Sequence, residues 1–418
     1  MDKNNLIKVL NLDENDIEEI NEEIENNDHK ISIKFKQRKC LCPRCKSNLI
    51  KNKGYKLRTI KAKVLSNFVT TIKVNQRIYK CLNCKHVFNQ ENKLFDKNTR
   101  IANETIENIL EQLKYQCTTY ESVARHFNIS TTEVLKIFDK HINYERKKLP
   151  EIMCVDECHN KRQFEESYSV VLCDFCKKDV TDVFLNRQLH SLRKYFSNIP
   201  LEERLNVHIV SMDMHENYKT VVKEFLPNAI ISIDPFHVIK NIKETIKKIE
   251  SNVLKTLNDK PYQKAILKKY FDDIIKYKTN HQKIVIEPTY GNKLSFDEVK
   301  EIIYSIDYKL RIALIFLEDY LRLNKTCTRE NFKEKFLNMI RINPIFKMDC
   351  FKQVRIMFKN WFPEIENSFI RVDGRRISNG LIEGFNSTYK KIMKVSNGVN
   401  NFKRFRNRLF HCVNGKKK

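Results

Sequence analysis

Nowhere in these 418 residues does an apolar run reach the roughly 18 residues needed to cross a bilayer. The opening, MDKNNLIKVLNLDENDIEE, is too acidic and too broken to read as a signal or transit peptide. Both absences argue against an exported or membrane-anchored chain, so a cytoplasmic protein is expected. Glycine is scarce at 7 and tryptophan occurs once; beside abundant Lys, Asn and Ile, this points to AT-rich coding and says little about function. Core-forming side chains are plentiful. Hydrophobic content of 41% and aromatic content of 10% exclude wholesale disorder, and the length allows about two to four domains. Lys and Arg total 78 against 52 Asp and Glu, a formal net charge of +26. Such a surplus implies a polyanionic partner, and without membrane features that partner is nucleic acid. The 13 cysteines are odd in number and scattered, which suits reduced thiols or metal ligands better than disulfides.

Four of them form a pattern. Cys42-Pro-Arg-Cys45 and Cys81-Leu-Asn-Cys84 are separated by a segment rich in Val, Ile, Thr and Arg. Two knuckles joined by a β-hairpin would offer four thiolates to one tetrahedral Zn²⁺, leaving no open coordination position for catalysis. Cys40 is a spare thiol able to compete with Cys42. Arg44, Lys46, Lys51, Lys53, Lys56 and Arg58 make this module basic and suit it to DNA. The acidic stretch before it, to about Asp28, reads as partly helical. Beyond it, Thr118-x-x-Glu121 and Ser130-x-x-Glu133 read as capping boxes opening two amphipathic helices, with Phe127-Asn128-Ile129 in the turn. That is a helix-turn-helix layout, with Thr131, Thr132 and Glu133 as candidate base readers. Helix pairs are common, and the basic surroundings are what favour DNA.

After Lys147-Lys148-Leu149-Pro150 the pattern changes. Short β-branched runs appear at Ile152 to Val155, Tyr168 to Leu172, Val180 to Leu185, Val207 to Val210 and Ile230 to Ile233, with helical patterns from Gln188 to Phe196 and after each of the last two runs. The order β, β, β, α, β, α, β, α is that of ribonuclease H-like domains. There the first strand lies at the sheet centre beside the strand ending at Asp213, so Asp156 and Asp213 would converge beyond the strand ends, where α/β sheets hold ligands. Paired carboxylates need a cation, and an all-oxygen site favours Mg²⁺ or Mn²⁺. Glu157 rivals Asp156 and Asp174 is a further rival, but strand alternation lets only one of Asp156 and Glu157 point into the site. Cys173 and Cys176, with Cys154, Cys158 and His159, are a weaker candidate for a second zinc site.

From about Lys243 to Phe369 the chain reads as a basic all-helical insertion, including a capping box at Ser295-x-x-Glu298. Trp361 fits core packing better than stacking on a base. After the turn at Asn379-Gly380, Glu383 opens a helical run in which Asn386, Lys390 and Lys394 share its face. Glu383 would complete a three-acid site, and Lys403, Arg404, Arg406 and Arg408 suit phosphate contacts.

The segments VSMDMHENYKTVVKEFLPNAIISIDPFHVIKNI and SNGLIEGFNSTYKKIMK resemble hallmark segments of the DDE transposases of bacterial insertion sequences in the ISL-three family, and the CPRC and CLNC knuckles resemble that family's N-terminal zinc finger. The likeness runs from Cys42 to Phe410. It implies that Asp156, Asp213 and Glu383 are the three catalytic acids, holding two Mg²⁺ about 3.5 to 4 Å apart, with Asp234 and His237 of DPFH in support. His237 would orient an acid or, alternatively, fill the core. The stretch from Ser396 to Phe402 departs from the Gly-Tyr-Arg-Asn-Phe-like sequence usual there. The resulting expectation is a multidomain α/β chain: a zinc-binding β module over residues 1–95, a helix-turn-helix over 96–147, a ribonuclease H-like core over 148–242 and 370–418, and the insertion over 243–369. Its expected activity is metal-dependent cleavage and strand transfer at terminal inverted repeats, as a homo-oligomer on DNA, with Thr131, Thr132, Lys390, Lys394, Arg404 and Arg406 among the DNA contacts. The alternative is a non-catalytic or degenerate sequence-specific DNA-binding protein.

Overall fold

The structure, a computed structural model, describes residues 3–26, 28–63, 69–161, 163–276, 283–396 and 400–414. The chain divides into two compact units, residues 1–145 with 390–418, and residues 146–389. Among the described residues no helix is long and apolar enough to cross a membrane.

The first unit opens with α1 (Lys3–Val9) and a five-stranded sheet of β1 (Ile17–Glu25), β2 (Asp28–Phe35), β3 (Ile50–Ala62), β4 (Val69–Cys81) and β5 (Val87–Asn89). The strand order is β1-β2-β4-β3, with β5 paired to β4. The acidic opening is therefore helical to Val9 and again in one short 3-10 turn at Glu14–Asp16. Ile17 and Ile20 draw the rest into a strand by packing with Ile31, Ile33, Ile60, Ile72 and Val74 in one core. Strands β3 and β4 pair antiparallel from Ile50↔Cys81 to Ala62↔Thr70, and this ladder brings the two cysteine knuckles to one end.

Helices α2 (Asn103–Gln112), α3 (Tyr120–His126) and α4 (Thr131–His141) follow. Tyr120, Val123, Ala124, Val134, Ile137 and Phe138 share their core. Asn128, at φ +50°, makes the left-handed turn between α3 and α4. Ser130 caps α4 as expected, accepting from the Glu133 N–H at 3.2 Å. The cap of α3 lies one residue later than expected. Thr119, not Thr118, accepts from the Ser122 N–H at 2.9 Å, and the Ser122 hydroxyl accepts from the Thr119 N–H at 3.1 Å. Thr119→Ala should cost about 1 kcal/mol of local stability, read as faster hydrogen exchange of the α3 amides. Thr118→Ala should leave them unchanged.

The second unit is built on β6 (Ile152–His159), β7 (Tyr168–Asp174), β8 (Asp179–Leu185), β9 (Ile209–Met212) and β10 (Ile230–Ile233) in the order β10-β9-β6-β7-β8. Strand β6 is central, antiparallel to β7 and parallel to β9. Connecting helices are α5 (Leu189–Ser197), α6 (Leu201–Leu205) and α7 (Glu216–Phe225). The period-2 rule divides β6 cleanly. Met153 and Val155 belong to the core that includes Leu192, Phe196 and Tyr218. Cys154 and Cys158 face the other way, donating to Ser378 O and Asn386 Oδ1.

From β10 the chain enters α8 (Pro235–Thr256), one unbroken helix through the expected boundary at residue 242, and continues through α9 (Pro261–Lys276). The insertion is not all helical. The β-branched run Ile284–Ile286 (β11) pairs antiparallel with Lys293–Ser295 (β12). The buried Glu287 carboxylate ties the turn by accepting from the Thr289, Tyr290 and Asn292 N–H groups, and Gly291 at φ +75° completes it. Helices α10 (Phe296–Ile306), α11 (Tyr308–Thr326), α12 (Arg329–Ile342) and α13 (Lys352–Asn367) follow, and the Ser295–Glu298 capping box is present. Trp361 of α13 is buried, with Lys219 Nζ 4.4 Å from its ring centroid. It is a core residue, the reading the sequence favoured.

A short hairpin, β13 (Arg371–Val372) and β14 (Arg375–Arg376), leads into α14 (Gly380–Val395), and α15 (Phe402–Asn414) ends the described chain. Residues 370–418 do not stay together as one piece of the core. Helix α15 joins the first unit, where Arg408 donates to Tyr115 O and Thr118 O and Asn407 to Ile142 O.

Candidate functional site

At the end of the first unit's sheet, Cys42, Cys45, Cys81 and Cys84 place their sulfurs within 4.8 Å of one another. Cys42 Sγ lies 3.5 Å from Cys84 Sγ, and Cys45 Sγ lies 3.6 Å from Cys81 Sγ. A tetrahedron with Zn–S bonds of about 2.3 Å has edges of about 3.8 Å, so the spacing fits zinc. The knuckles repeat one backbone device. The N–H of Cys42 donates to Ser47 O and that of Cys81 to His86 O, both at 2.9 Å, while Lys46 and Lys85 adopt φ of +58° and +59°. Burial pushes the Cys42 thiol up, but backbone donors at Cys45 and Arg44 and the neighbouring thiols outweigh it and bring it down to about 7. At Cys84 the His86 main-chain donor is outweighed by burial and the neighbouring thiols, which push that thiol up, so without a metal the negative charge gathers on part of the group. A thiolate is the species a metal binds. Cys40 stands outside the group.

The second cysteine set does not assemble a metal site among the described residues. Cys154 and Cys173 are buried cross-strand partners, and Cys176 is exposed. Burial pushes the Cys154 thiol up to about 12. These thiols pack and are not poised to ionise.

The acids lie in the second unit. Strand register pairs Cys154 with Ser211 and Ser211 with Ser232. Two residues further along the chain stand Asp156, still within β6, and Asp213 and Asp234, each just past the end of its strand, so the three aspartates lie toward one end of the sheet. The expected strand end at Asp156 is displaced, because β6 goes on pairing with β7 as far as His159↔Tyr168. Asp213 directly follows β9. Among the described residues its Oδ1 is buried and has no hydrogen-bond partner, an arrangement that fits a cation ligand. Asp234 caps α8, its Oδ1 accepting from the Phe236 N–H at 3.5 Å, and its Oδ2 lies 3.5 Å from His237 Nδ1.

Burial raises the Asp156 carboxyl above the ordinary carboxylate range, against the opposing pull of the Glu157 main chain, His237 and Asn386. Asp213 is raised by burial and then by Glu157, with Asp156 adding to the repulsion. For His237, burial works downward but is outweighed by Asp234, Asp213 and Asp156, so its pKa rises. All three folded-state values lie above their unfolded ones. The stability these groups contribute is therefore complete below the unfolded pKa values and is lost as pH rises through the folded ones. A divalent cation bound at these carboxylates would compete with the same protons. The increase in melting temperature produced by Mn²⁺ should thus grow as pH rises from about 5 to 8, checked by thermal melts with and without the ion; an increase independent of pH would contradict the coupling.

Glu383 stands in the first turn of α14 and is exposed. Among the described residues only the cysteine group gathers three or more ligand atoms within 4.8 Å, so the carboxylates of Asp156, Asp213 and Glu383 do not close to that spacing. What ties α14 to the sheet is a set of polar contacts. Asn379 Nδ2 donates to Val155 O at 2.9 Å, Asn386 Nδ2 to Asp156 Oδ2 at 2.9 Å, and the Tyr389 hydroxyl to Asn160 Oδ1 at 2.5 Å. Glu383 precedes Asn386 by three residues, on one helical stripe.

Of the rivals, Glu157 is ion-paired with Arg187 and accepts from the Tyr218 hydroxyl at 3.3 Å. Asp174 instead accepts from the Lys177 N–H at 2.9 Å. Nothing in the sequence spacing marked Arg187 or Tyr218, and Asn379 stood out only as a turn residue.

Thr131, Thr132 and Glu133 lie in the first turn of α4, with Thr132 exposed. Lys390 and Lys394 are exposed on α14. Arg404 binds Asp139 through Nε and Nη2, Arg406 donates to Tyr144 O at 2.6 Å, and Arg408 is buried. Asn397, Gly398 and Val399, within the stretch that departs from the family's usual sequence, lie outside the described residues, as does Arg162 of the CHNKRQFEES segment.

A search of curated proteins finds no match. Residues 153–409, more than half of the chain, match the model of a family described as transposase, the ISL-three group of the DDE type.

Proposed function

The chain belongs to the ISL-three family of DDE transposases, and from that premise we propose that it cleaves DNA at the terminal inverted repeats of an insertion sequence and joins the freed ends to target DNA. The observation that carries the proposal is the gathering of Asp156, Asp213 and Asp234 toward one end of β6, β9 and β10, with one buried Asp213 oxygen left unpartnered among the described residues. The sheet order, with a central β6 flanked by antiparallel β7 and parallel β9, supports a ribonuclease H-like core. Asp156, Asp213 and Glu383 are the residues proposed to hold the divalent ions, Mg²⁺ or Mn²⁺. Bound there, such ions supply Lewis acidity to the scissile phosphate and its leaving oxygen. Three carboxylates repel one another unless a cation lies between them, and Glu383, exposed on the first turn of α14, is the acid with room to move inward. Asp234 holds His237, which offsets the negative charge around Asp156 and Asp213.

The four cysteines hold a structural Zn²⁺. The helix pair α3 and α4, with Thr131 and Thr132 at its reading end, recognises the repeats together with the basic zinc module. Lys390 and Lys394 contact phosphate. Arg404 and Arg406, already engaged within the first unit, can reach phosphate only with their remaining donors. Two ends must be joined, so a homo-oligomer assembles on DNA.

The test is a duplex carrying the inverted repeat that flanks the gene, incubated with the full chain and Mg²⁺. The proposal predicts a new 3′-hydroxyl end and its joined product. Nicking without joining would indicate a structure-specific nuclease. Binding without any metal-dependent product would indicate a DNA-binding regulator.

A further inference from the structure

Asn386 has both ends of its amide engaged. Its Nδ2 donates to Asp156 Oδ2 at 2.9 Å, and its Oδ1 accepts from the Cys158 thiol at 2.9 Å. The chemistry fixes the orientation, since a carboxylate takes a hydrogen bond only from the NH₂ end, and a thiol donates only to the oxygen. Cys158 is itself buried on the face of β6 that α14 covers. The amide is thus locked from one side, and it holds Asp156 from the other.

The same contact also sets the helix. Asn386 and Glu383 lie on one stripe of α14, and Asn386 is the residue of that stripe bonded to the first acid. We propose that Asn386 is a positioning residue, which fixes the rotation of Asp156 and registers Glu383 against it so that the acids can close on a divalent cation. This rests on the transposase reading above. Groups that orient metal ligands in this way typically change metal affinity or activity by about 10- to 100-fold when removed.

The test is Mn²⁺ binding to the full-length chain followed by electron paramagnetic resonance, with DNA cleavage as a second readout. Asn386→Ala should weaken Mn²⁺ binding by about 10- to 100-fold, and cleavage should recover in part at saturating metal. Asn386→Leu keeps the branched shape without the hydrogen bonds and should show the same shift if the truncation proves unstable. Asn379→Ala removes a different bond from the start of the same helix, one that does not touch an acid, and should weaken Mn²⁺ binding far less than Asn386→Ala. In the Asp156→Ala background, adding Asn386→Ala should weaken binding no further, because the amide acts through the acid. Wild-type affinity in both Asn386 variants would overturn the inference. So would an equal loss in Asn379→Ala, which would reduce Asn386 to general helix docking, or additive losses in the double variant. If Asp156→Ala itself bound Mn²⁺ and cut DNA normally, the acid-site reading would fall and take this inference with it.

Discussion

Asp213→Ala should abolish metal-dependent cleavage, lowering the rate by about 10³-fold or more while leaving binding to end-containing DNA intact. A ligand to a catalytic cation contributes several kcal/mol of charge stabilisation in the transition state, and about 4 kcal/mol corresponds to that factor. The same substitution should raise the melting temperature of the metal-free chain. Burial and the repulsion of Glu157 and Asp156 lift the Asp213 carboxyl, and Oδ1 has no partner among the described residues, so the folded state is strained by the ionised group and relieved by its loss. Activity and stability moving in opposite directions is the signature of a functional acid. A structural acid would lose both together. Cleavage assays beside thermal melts at pH ~7.5 check the pair, and a variant that cuts normally, or melts lower, counts against the assignment.

Cys42→Ser should reduce bound zinc from one ion per chain to near zero and unfold the knuckle end of the first unit. Structural zinc contributes about 10 to 16 kcal/mol of apparent binding energy in small modules, and Cys42 is the buried thiol brought down to about 7 by backbone donors. Binding to terminal repeats should weaken by at least ~10-fold, equivalent to losing about 1.4 kcal/mol. Residues 146–389 form a separate compact unit with a core of their own, so their unfolding transition should stay in place. Cys40→Ser, outside the sulfur cluster, should keep the metal. Elemental analysis with two-transition melts distinguishes these outcomes. Full zinc content in Cys42→Ser would show that Cys40 substitutes for it.

Much of the scaffold was legible because its signals are local. The β-branched runs marked β7, β8 and β10 to within a residue or two, and the cysteine spacing marked the knuckles. Errors arose where pairing partners overrode the local signal. The apolar run of β6 stops at Val155, but the strand continues through Asp156 because β7 pairs with it to His159. The cap of α3 slipped by one residue since Thr118 and Thr119 are chemically equivalent, and only the helix start decides between them. The hairpin at Ile284–Ile286 is three residues long within a helical region, and its turn depends on Glu287, whose role no periodicity reveals.

In the candidate site, the gathering of the aspartates followed from strand ends, whereas the contact of Asn386 with Asp156 spans 230 residues and needs the folded chain. The basic tail was harder still. Arg404, Arg406 and Arg408 read as a solvated phosphate-binding run, yet Arg404 pairs with Asp139 and Arg408 is buried against backbone carbonyls. A charge run reports only composition, and partners elsewhere decide which charges remain available.

Anomalous scattering from Mn²⁺ in crystals of the full-length chain addresses the three acids most directly. The account predicts density about 2.1 Å from oxygens of both Asp156 and Asp213, with Glu383 turned inward to complete the coordination. Density bound elsewhere, or none at these aspartates at millimolar metal, would contradict it.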